Sequence, residues 1–508
     1  MQENNNNKEN GKRIARNTIY LYVRMIFTTL ISLYTVRVVL NKLGAEDFGL
    51  YNVVGGIVTF LSIVSNALSS ASQRFLAYDL GKSDFKSYQR TFSMLINLFA
   101  IFSVIALVLM EAIGPFYINH YLSVDSSRLS AAHSAFQFSL LTFVFSSMAI
   151  PYISSIIAHE RMDAYAFITV IESILKLVIV YFLTIVDYDQ LIVYCILLLI
   201  VQIMVTISYL LYNKYKIGNC NYTRIWDISY FKRLSSYTGW NLFGSVTQVM
   251  NLQGQAIVIN LFFGPMVNAA KAVADKINVG LMQLSSSFYS AISPQIIKSY
   301  SINNIDYMRT LVLNSTRLAY FLLLIFCVPL YVSISDILIF WIGDSVVNSE
   351  TVKFCQATII YVLVNCLDLP ITMAVRATGD IRNYQIVIGF ITLTFVPLCV
   401  IVYMLGCEAY VSMVLLSVIY FIALLVRIRF VRSIIRIDYK TFVMKVLIPI
   451  IITTMISFLL SIYLTTYIVS NLIVSLLLSL LITIGIIILF GIRRDELNSV
   501  YRFIKNKI

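Results

Sequence analysis

Residues 191–212, LIVYCILLLIVQIMVTISYLLY, decide the fold of this chain, because none of these 22 residues carries a charged side chain. A helix needs about 20 predominantly apolar residues to cross the hydrocarbon core of a bilayer. The whole chain has the same character, since 59% of its 508 residues are hydrophobic and 12% are charged. Soluble domains carry about 25% charged residues. The sequence therefore predicts an all-α polytopic membrane protein.

Similar apolar segments recur along the chain, and we predict about 14 transmembrane helices. Each predicted segment is long enough to cross a bilayer as a helix. The predicted segments are 14–40, 48–76, 89–117, 134–157, 164–186, 191–212, 237–262, 265–297, 307–333, 352–375, 384–405, 410–430, 442–467 and 471–491.

The basic residues between these segments predict the orientation. If the N-terminus is cytoplasmic, the inside loops and adjoining segment ends hold 26 Lys and Arg residues, and the outside loops hold only Lys42 and Arg128. Cytoplasmic loops of membrane proteins carry an excess of Lys and Arg. We therefore expect a multi-pass protein of the bacterial inner membrane with both termini in the cytoplasm.

The chain also repeats itself at an offset of 219 or 220 residues. Gly44 matches Gly264, Arg90 matches Arg309, and Pro151 matches Pro370, each at the same place in the predicted topology. The offset covers six helices, so the two halves have the same orientation and are expected to be related by a pseudo-two-fold axis along the membrane normal.

This repeat predicts two six-helix lobes followed by two additional helices. The predicted boundaries are a cytoplasmic tail (1–13), an N-terminal lobe (14–213), a cytoplasmic linker (214–236), a C-terminal lobe (237–432), two further transmembrane helices (433–492) and a basic cytoplasmic tail (493–508).

Three stretches carry a resemblance to a known family: LGAEDFGLYNVV (43–54), IPYISSIIAHERMDAYAFITVIES (150–173) and SPQIIKSY (293–300). With the fourteen-segment plan, they resemble the polysaccharide-biosynthesis branch of the multidrug/oligosaccharidyl-lipid/polysaccharide exporter (MOP) superfamily, the Wzx-type flippases of O-antigen and capsule. The resemblance implies a transporter that works by alternating access. Its cargo would be an undecaprenyl-pyrophosphate-linked oligosaccharide repeat unit, moved from the inner to the outer face for O-antigen, capsule or exopolysaccharide assembly. Membrane lipid, glycan polymerase and glycosyltransferases would be its partners.

Charged residues inside the predicted helices are the candidate site, because Lys and Arg are costly at mid-bilayer and are usually functional there. A pyrophosphate cargo requires cations, and polar residues at helical spacing place Arg24 and Thr28 on one face of segment 1. Segments 1, 2, 7 and 8 are therefore predicted to line a cleft between the lobes. The candidate substrate-binding residues are Arg24, Thr28, Gln248, Gln255, Lys271, Asp275 and Arg317. Asp368 and Glu172 are candidates for coupling transport to an ion gradient.

Each candidate also has a purely structural interpretation. Lys271 and Asp275, like Glu172 and Lys176, are four residues apart and can neutralise each other on one helix. Asp368 can cap a helix break made by Pro370, and polar stripes can pack helices together. Arg74 lies near a segment end, from which it can snorkel towards the interface.

Other functions are disfavoured by what the sequence lacks. It contains no nucleotide-binding, hydrolase or metal-ligand motif, so we expect neither enzymatic activity nor a metal or other cofactor. Because the net charge of +13 is concentrated in loops on one side, nucleic acid is not an expected partner. A multidrug exporter and a peptidoglycan-precursor flippase of the same superfamily remain as alternatives. A membrane glycosyltransferase or polymerase would require a large external loop, which the predicted topology does not provide.

Overall fold

The computed structural model describes residues 2–59, 61–120, 126–183, 188–218, 222–343, 348–468 and 471–492. Every secondary-structure element in these ranges is helical. The α-helices are α1 (Gln2–Thr59), α2 (Leu61–Gly81), α3 (Phe85–His120), α4 (Leu129–Ala158), α5 (Met162–Phe182), α6 (Gln190–Tyr212), α7 (Ile228–Ser301), α8 (Ile305–Val332), α9 (Ile334–Ile342), α10 (Ser349–Cys366), α11 (Asp368–Thr378), α12 (Arg382–Leu393), α13 (Phe395–Met404), α14 (Val411–Ile435), α15 (Tyr439–Phe442), α16 (Ile448–Ile468) and α17 (Leu472–Ile486).

The helices confirm the predicted all-α, multi-pass membrane architecture. In the described ranges, 11 helices are long and apolar enough to cross a membrane, and 12 if the pair Asp47–Gly56 and Leu61–Gly81, bent by 53°, is one span. Neither half of α7 is among them. Amide side chains such as Gln248 and Asn251 lower the hydropathy of its first half, and its second half carries Lys271, Asp275 and Lys276. The exact number of fourteen stays a prediction.

Two long helices are each broken at a glycine. Helix α1 is interrupted at Gly44, where φ is 77° and ψ is 170°, and α7 is interrupted at Gly264, where φ is 80° and ψ is −177°. Only glycine adopts this region of backbone conformation readily. The two breaks occupy the positions predicted for the outside turns after segments 1 and 7.

The contacts divide the chain into two compact units, which we call the first unit (Ile14–Leu242) and the second unit (from Phe243 onward, together with the residues before Ile14). The predicted domain boundaries and pseudo-two-fold axis stay predictions. In the first unit, small residues let helices approach closely, as is usual between membrane helices. The ring of Phe136 on α4 lies so close to Gly114 on α3 that a Cβ there would meet it at 2.0 Å. Ser103 and Ser147 form a buried hydrogen bond of 2.6 Å between the same two helices.

The second unit contains both appended helices. Tyr320 on α8 hydrogen-bonds Thr454 on α16 at 3.0 Å, and Ser333 at the end of α8 hydrogen-bonds Ser475 on α17 at 3.0 Å. The predicted segment 10 corresponds to one candidate span, Ser349–Thr378, in which only Leu367 separates α10 from α11. Helix α11 contacts α14 through Asp368 and Arg427.

Arg74 on α2 corrects one expectation, because it does not snorkel to the interface. Its side chain is 2% exposed, and its guanidinium carbon lies 4.6 Å from the ring centre of Phe75 and 4.8 Å from that of Tyr78. Tyr237 adds a third ring at 6.0 Å. Aromatic faces attract a guanidinium at such distances, so Arg74 is held inside the first unit.

Candidate functional site

The first unit contains two adjoining open cavities, of about 600 and 540 Å³, which share Tyr51 and Leu198. We call them together the hydroxyl cavity. Polar side chains of its larger part are Thr28, Thr29, Ser32, Thr35, Ser173 and Lys176. The smaller part adds Ser62, Ser139, Thr142 and Ser146. Hydroxyl groups both donate and accept hydrogen bonds, so this lining suits either a phosphate or a sugar.

Arg24 is not in the lining of this cavity, although Thr28, one helical turn further along α1, is. Its guanidinium carbon is 4.8 Å from the ring centre of Tyr165, and its buried Nε has no hydrogen-bond partner. In the described part of the chain it forms no ion pair. Tyr209 is close enough to interact electrostatically with both Arg24 and Glu172. The carboxylate of Glu172, which pairs with Lys176, therefore lies in the same neighbourhood as Arg24.

Glu172 and Lys176 form the ion pair that their spacing predicts. Lys176 Nζ lies 2.6 Å from Glu172 Oε1, with side chains 41% and 21% exposed. Lys176 also lines the hydroxyl cavity, together with Thr28. From the sequence, pairing with Glu172 to brace helices is one of two open interpretations of Lys176. Its three-residue spacing from Ser173 is the available signal that the two residues share a helical face.

The second unit contains two further adjoining open cavities, of about 300 and 340 Å³, which share Leu252, Asn278 and Val279. We call them together the amide cavity. Its amide side chains include Gln248, Asn251, Gln253, Asn268, Asn278 and Asn365. Tyr361 and Tyr420 also line it, with ring centres 5.2 Å apart in an edge-to-face arrangement. The predicted residues Gln248, Lys271 and Asp275 are thus brought together.

The charged residues of the amide cavity neutralise each other. Lys271 Nζ lies 2.6 Å from Asp275 Oδ2, and the lysine side chain is only 4% exposed. The structure therefore contains the Lys271–Asp275 ion pair, which was the structural alternative to Lys271 as an anion-binding residue. A positive charge on Lys271 is matched by a carboxylate before any cargo binds.

Two predicted binding residues lie outside the described cavity linings. Gln255 is 1% exposed and donates a hydrogen bond of 2.9 Å to Ser412 Oγ. Arg317 is 2% exposed on α8. Their roles in binding stay predictions, and so does the predicted cleft.

Asp368 begins α11 but does not cap it, since no side-chain capping bond is present. Its Oδ2 instead forms a short ion pair with Nη1 of Arg427 on α14. The predicted topology places Arg427 at the cytoplasmic end of segment 12. Arg427 Nε also donates to Tyr384 Oη at 3.0 Å. Both charged side chains are buried, while Asp368 Oδ1 has no hydrogen-bond partner. The carboxylate is therefore only partly satisfied, and its role in coupling stays a prediction.

The two cavities are built from matched positions of the internal repeat, at offsets of 218 to 220 residues. They differ in chemistry, because hydroxyl or apolar groups in the first unit often correspond to amides or tyrosines in the second. The matched lining pairs are Thr28 and Gln248, Ile31 and Asn251, Val58 and Asn278, Thr142 and Tyr361, Ser146 and Asn365, and Gln202 and Tyr420.

Two arginines at helix ends are held by carboxylates. Partial burial tends to lower the pKa of Arg128, but hydrogen bonds from Arg128 to Asp47 and Asp189 outweigh it and raise that pKa above its ordinary value. A hydrogen bond to Asp163 likewise raises the pKa of Arg161. Both guanidiniums are therefore permanently charged.

In the described ranges, no group of three or more His, Cys, Asp or Glu residues is arranged to hold a metal ion.

Comparison with known proteins gives one family and one fold. Residues 14–301 match the model of the family described as polysaccharide biosynthesis protein. No curated protein matches the chain significantly.

Several solved structures share the fold. A MOP superfamily transporter from Pyrococcus furiosus, whose binding pocket is described as having reverse polarity, is 13% identical, with a TM-score of 0.72 over 84% of this chain and 96% of that one. A MATE protein in complex with MaD3S is also 13% identical, with a TM-score of 0.71 over 84% and 97%. An outward-facing multidrug resistance MATE transporter is 12% identical, with a TM-score of 0.71 over 84% and 96%.

Proposed function

The chain belongs to the polysaccharide biosynthesis protein family, and from that premise we propose that it is a flippase for lipid-linked oligosaccharides. Its cargo is an undecaprenyl-pyrophosphate-linked repeat unit, which it moves from the inner to the outer face of the bacterial inner membrane by alternating access. The product serves O-antigen, capsule or exopolysaccharide assembly. Glycosyltransferases that build the unit and a polymerase that consumes it act before and after this step.

The single observation that carries this proposal is the family match over residues 14–301. The chemistry of the cavities supports it. Hydroxyl and amide side chains suit sugars and phosphates, which offer many donors and acceptors. Arg24, without an ion-pair partner in the described residues, supplies a positive charge for a pyrophosphate. Planar guanidinium groups are well suited to that role.

Deletion of the gene tests the proposal. We expect surface glycan to be lost and lipid-linked oligosaccharide to accumulate, because synthesis on the inner face continues without export. A plasmid carrying the wild-type gene should restore the glycan. Normal surface glycan in the deletion strain, with no second transporter of this family present, would refute the proposal.

A multidrug exporter is the second candidate, favoured by the likeness to the multidrug resistance MATE structure. Cationic drugs require a carboxylate that is free to pair with them, whereas Asp275 in the amide cavity is already paired with Lys271. Growth of the deletion strain in the presence of cationic dyes and antibiotics separates the two. The flippase proposal predicts unchanged sensitivity, and the exporter alternative predicts increased sensitivity.

A further inference from the structure

The amide cavity contains buried amide groups that the described residues leave unsatisfied. Asn251 is 3% exposed and lines the cavity, yet neither its Oδ1 nor its Nδ2 has a hydrogen-bond partner. Asn278 lines both parts of the cavity, and its buried Oδ1 has none either. Burying such groups without a partner is costly. Two donor-acceptor side chains therefore point to a ligand that offers both donors and acceptors.

The charge of the cavity indicates that this ligand is neutral. Among the described residues, the only charged ones in its lining are Lys271 and Asp275, which pair with each other at 2.6 Å. A phosphate would have to compete with Asp275 for the lysine, and a cation would have to compete with Lys271 for the carboxylate. An uncharged ligand displaces neither.

Two tyrosines in the lining, Tyr361 and Tyr420, further restrict the chemical class of the ligand. Tyr361 and Tyr420 are 4% and 7% exposed, and their edge-to-face packing holds both rings in fixed orientations. Aromatic side chains give a binding site a rigid apolar surface with a polar tip. A sugar ring matches this combination, because it has apolar C–H faces for the aromatic surface and hydroxyl groups around its rim for the amides.

The internal repeat places apolar side chains at the matched positions of the first unit. Asn251 corresponds to Ile31, and Asn278 corresponds to Val58, and these two residues line the matched hydroxyl cavity. The first unit therefore forms an equivalent cavity with apolar side chains at both positions.

We infer that the amide cavity is a subsite for an uncharged sugar of the cargo, so that the second unit recognises the glycan and not the pyrophosphate. This inference rests on the proposed flippase function. It predicts that selection among cargoes with different neutral sugars depends on Asn251 and Asn278.

The test compares two lipids with the purified full-length chain in nanodiscs. One is lipid-linked oligosaccharide extracted from the deletion strain, and the other is sugar-free undecaprenyl pyrophosphate. The double variant Asn251→Ile/Asn278→Val places the first unit's residues in the amide cavity. We expect it to weaken binding of the oligosaccharide lipid about tenfold, since several hydrogen bonds are lost. Binding of the sugar-free lipid should be unchanged.

Two further variants guard against trivial effects. Asn251→Asp keeps the side-chain shape and should lower affinity for the oligosaccharide lipid even if the double variant folds poorly. Asn260→Ala removes an exposed amide of the same helix outside the cavity lining and should bind both lipids as the wild type does. If folded Asn251 variants bind the oligosaccharide lipid like the wild type, the sugar subsite is wrong while the flippase proposal stands. If the wild type binds neither lipid, the flippase proposal itself fails.

Discussion

Gly44 and Gly264 share one rare backbone conformation. Their φ angles are 77° and 80°, and their ψ angles are 170° and −177°. They are separated by the repeat offset, and each breaks a long helix in two. The repeat that is visible as scattered sequence matches is therefore present in the backbone as well. At both positions the conformation, and not the space, demands glycine, because no atom lies within 4 Å of the place that a Cβ would occupy.

Alanine at either glycine should destabilise the protein through backbone strain alone. We expect Gly44→Ala and Gly264→Ala each to lower the free energy of unfolding by about 1–3 kcal/mol, the usual cost of a residue held in this region. Thermal unfolding in detergent measures the effect. Gly280→Ala is the matched control, since Gly280 lies in regular helix in α7 with no atom within 4 Å. Equal stability of Gly264→Ala and Gly280→Ala would contradict the argument.

The stability of the protein should fall more when one member of the buried pair Asp368–Arg427 is removed than when both are removed. Removing one member of a buried ion pair typically costs about 3–5 kcal/mol, because the other charge is left buried and uncompensated. Asp368→Leu should therefore destabilise the protein strongly, and Asp368→Leu/Arg427→Met should regain much of the stability. A double variant as unstable as the sum of both single variants would argue against direct pairing.

The same double variant tests the coupling hypothesis. If Asp368 carries a coupling ion, the refolded double variant should bind cargo normally but fail to transport it in response to an ion gradient. Transport driven by a gradient at the wild-type rate would exclude Asp368 from coupling. Glu172 can be tested in parallel with Glu172→Gln, which leaves Lys176 without its partner.

Arg128 joins the part of α1 that follows the break at Gly44 to the start of α6, and its loss should have a modest effect. Its Nε donates to Asp47 Oδ1 at 3.0 Å, and its Nη1 pairs with Asp189 at the start of α6. Partly exposed pairs contribute about 0–1 kcal/mol each. We expect Arg128→Ala to lower stability by roughly 1 kcal/mol and to increase hydrogen exchange at the start of α6. Arg161→Ala, which removes an exposed pair with Asp163, should change neither.

The sequence predicted features that depend on local spacing. Apolar segment length indicated the membrane helices, and four-residue spacing indicated the pairs Glu172–Lys176 and Lys271–Asp275. The match of Gly44 with Gly264 indicated the two helix breaks. Each of these depends on residues close in the chain or on a repeat that is visible without a structure.

Features that depend on distant residues were not predicted. Asp368 and Arg427 are 59 residues apart, and the sequence places Arg427 at a loop end because it lies near other arginines. Gln255 fits the polar stripe of its helix, but its partner Ser412 is on another helix. Arg74 was expected to snorkel because it lies near a segment end. Tyr237, which completes its aromatic surroundings, is distant in the sequence, so local spacing does not reveal this contact.

Arg24 should matter for transport more than for folding. It contacts Tyr165 through its guanidinium face, and an exposed to partly buried contact of this kind contributes about 0.5–2 kcal/mol. We expect Arg24→Ala to reach the membrane at normal abundance but to abolish glycan export, because the pyrophosphate loses its cation. Arg24→Lys keeps the charge and should export partially. Full export by Arg24→Ala would remove this residue from the site.

The most direct test of the flippase account is cargo movement across a sealed bilayer. Liposomes containing lipid-linked oligosaccharide in both leaflets are treated with a membrane-impermeant reagent that modifies only sugars on the outside. Without protein, about half of the sugar should react, since the leaflets of a large liposome are nearly equal. With the wild-type chain, the modified fraction should rise towards completion, and with Arg24→Ala it should stay near half. A modified fraction that stays near half with folded wild-type protein would contradict the account.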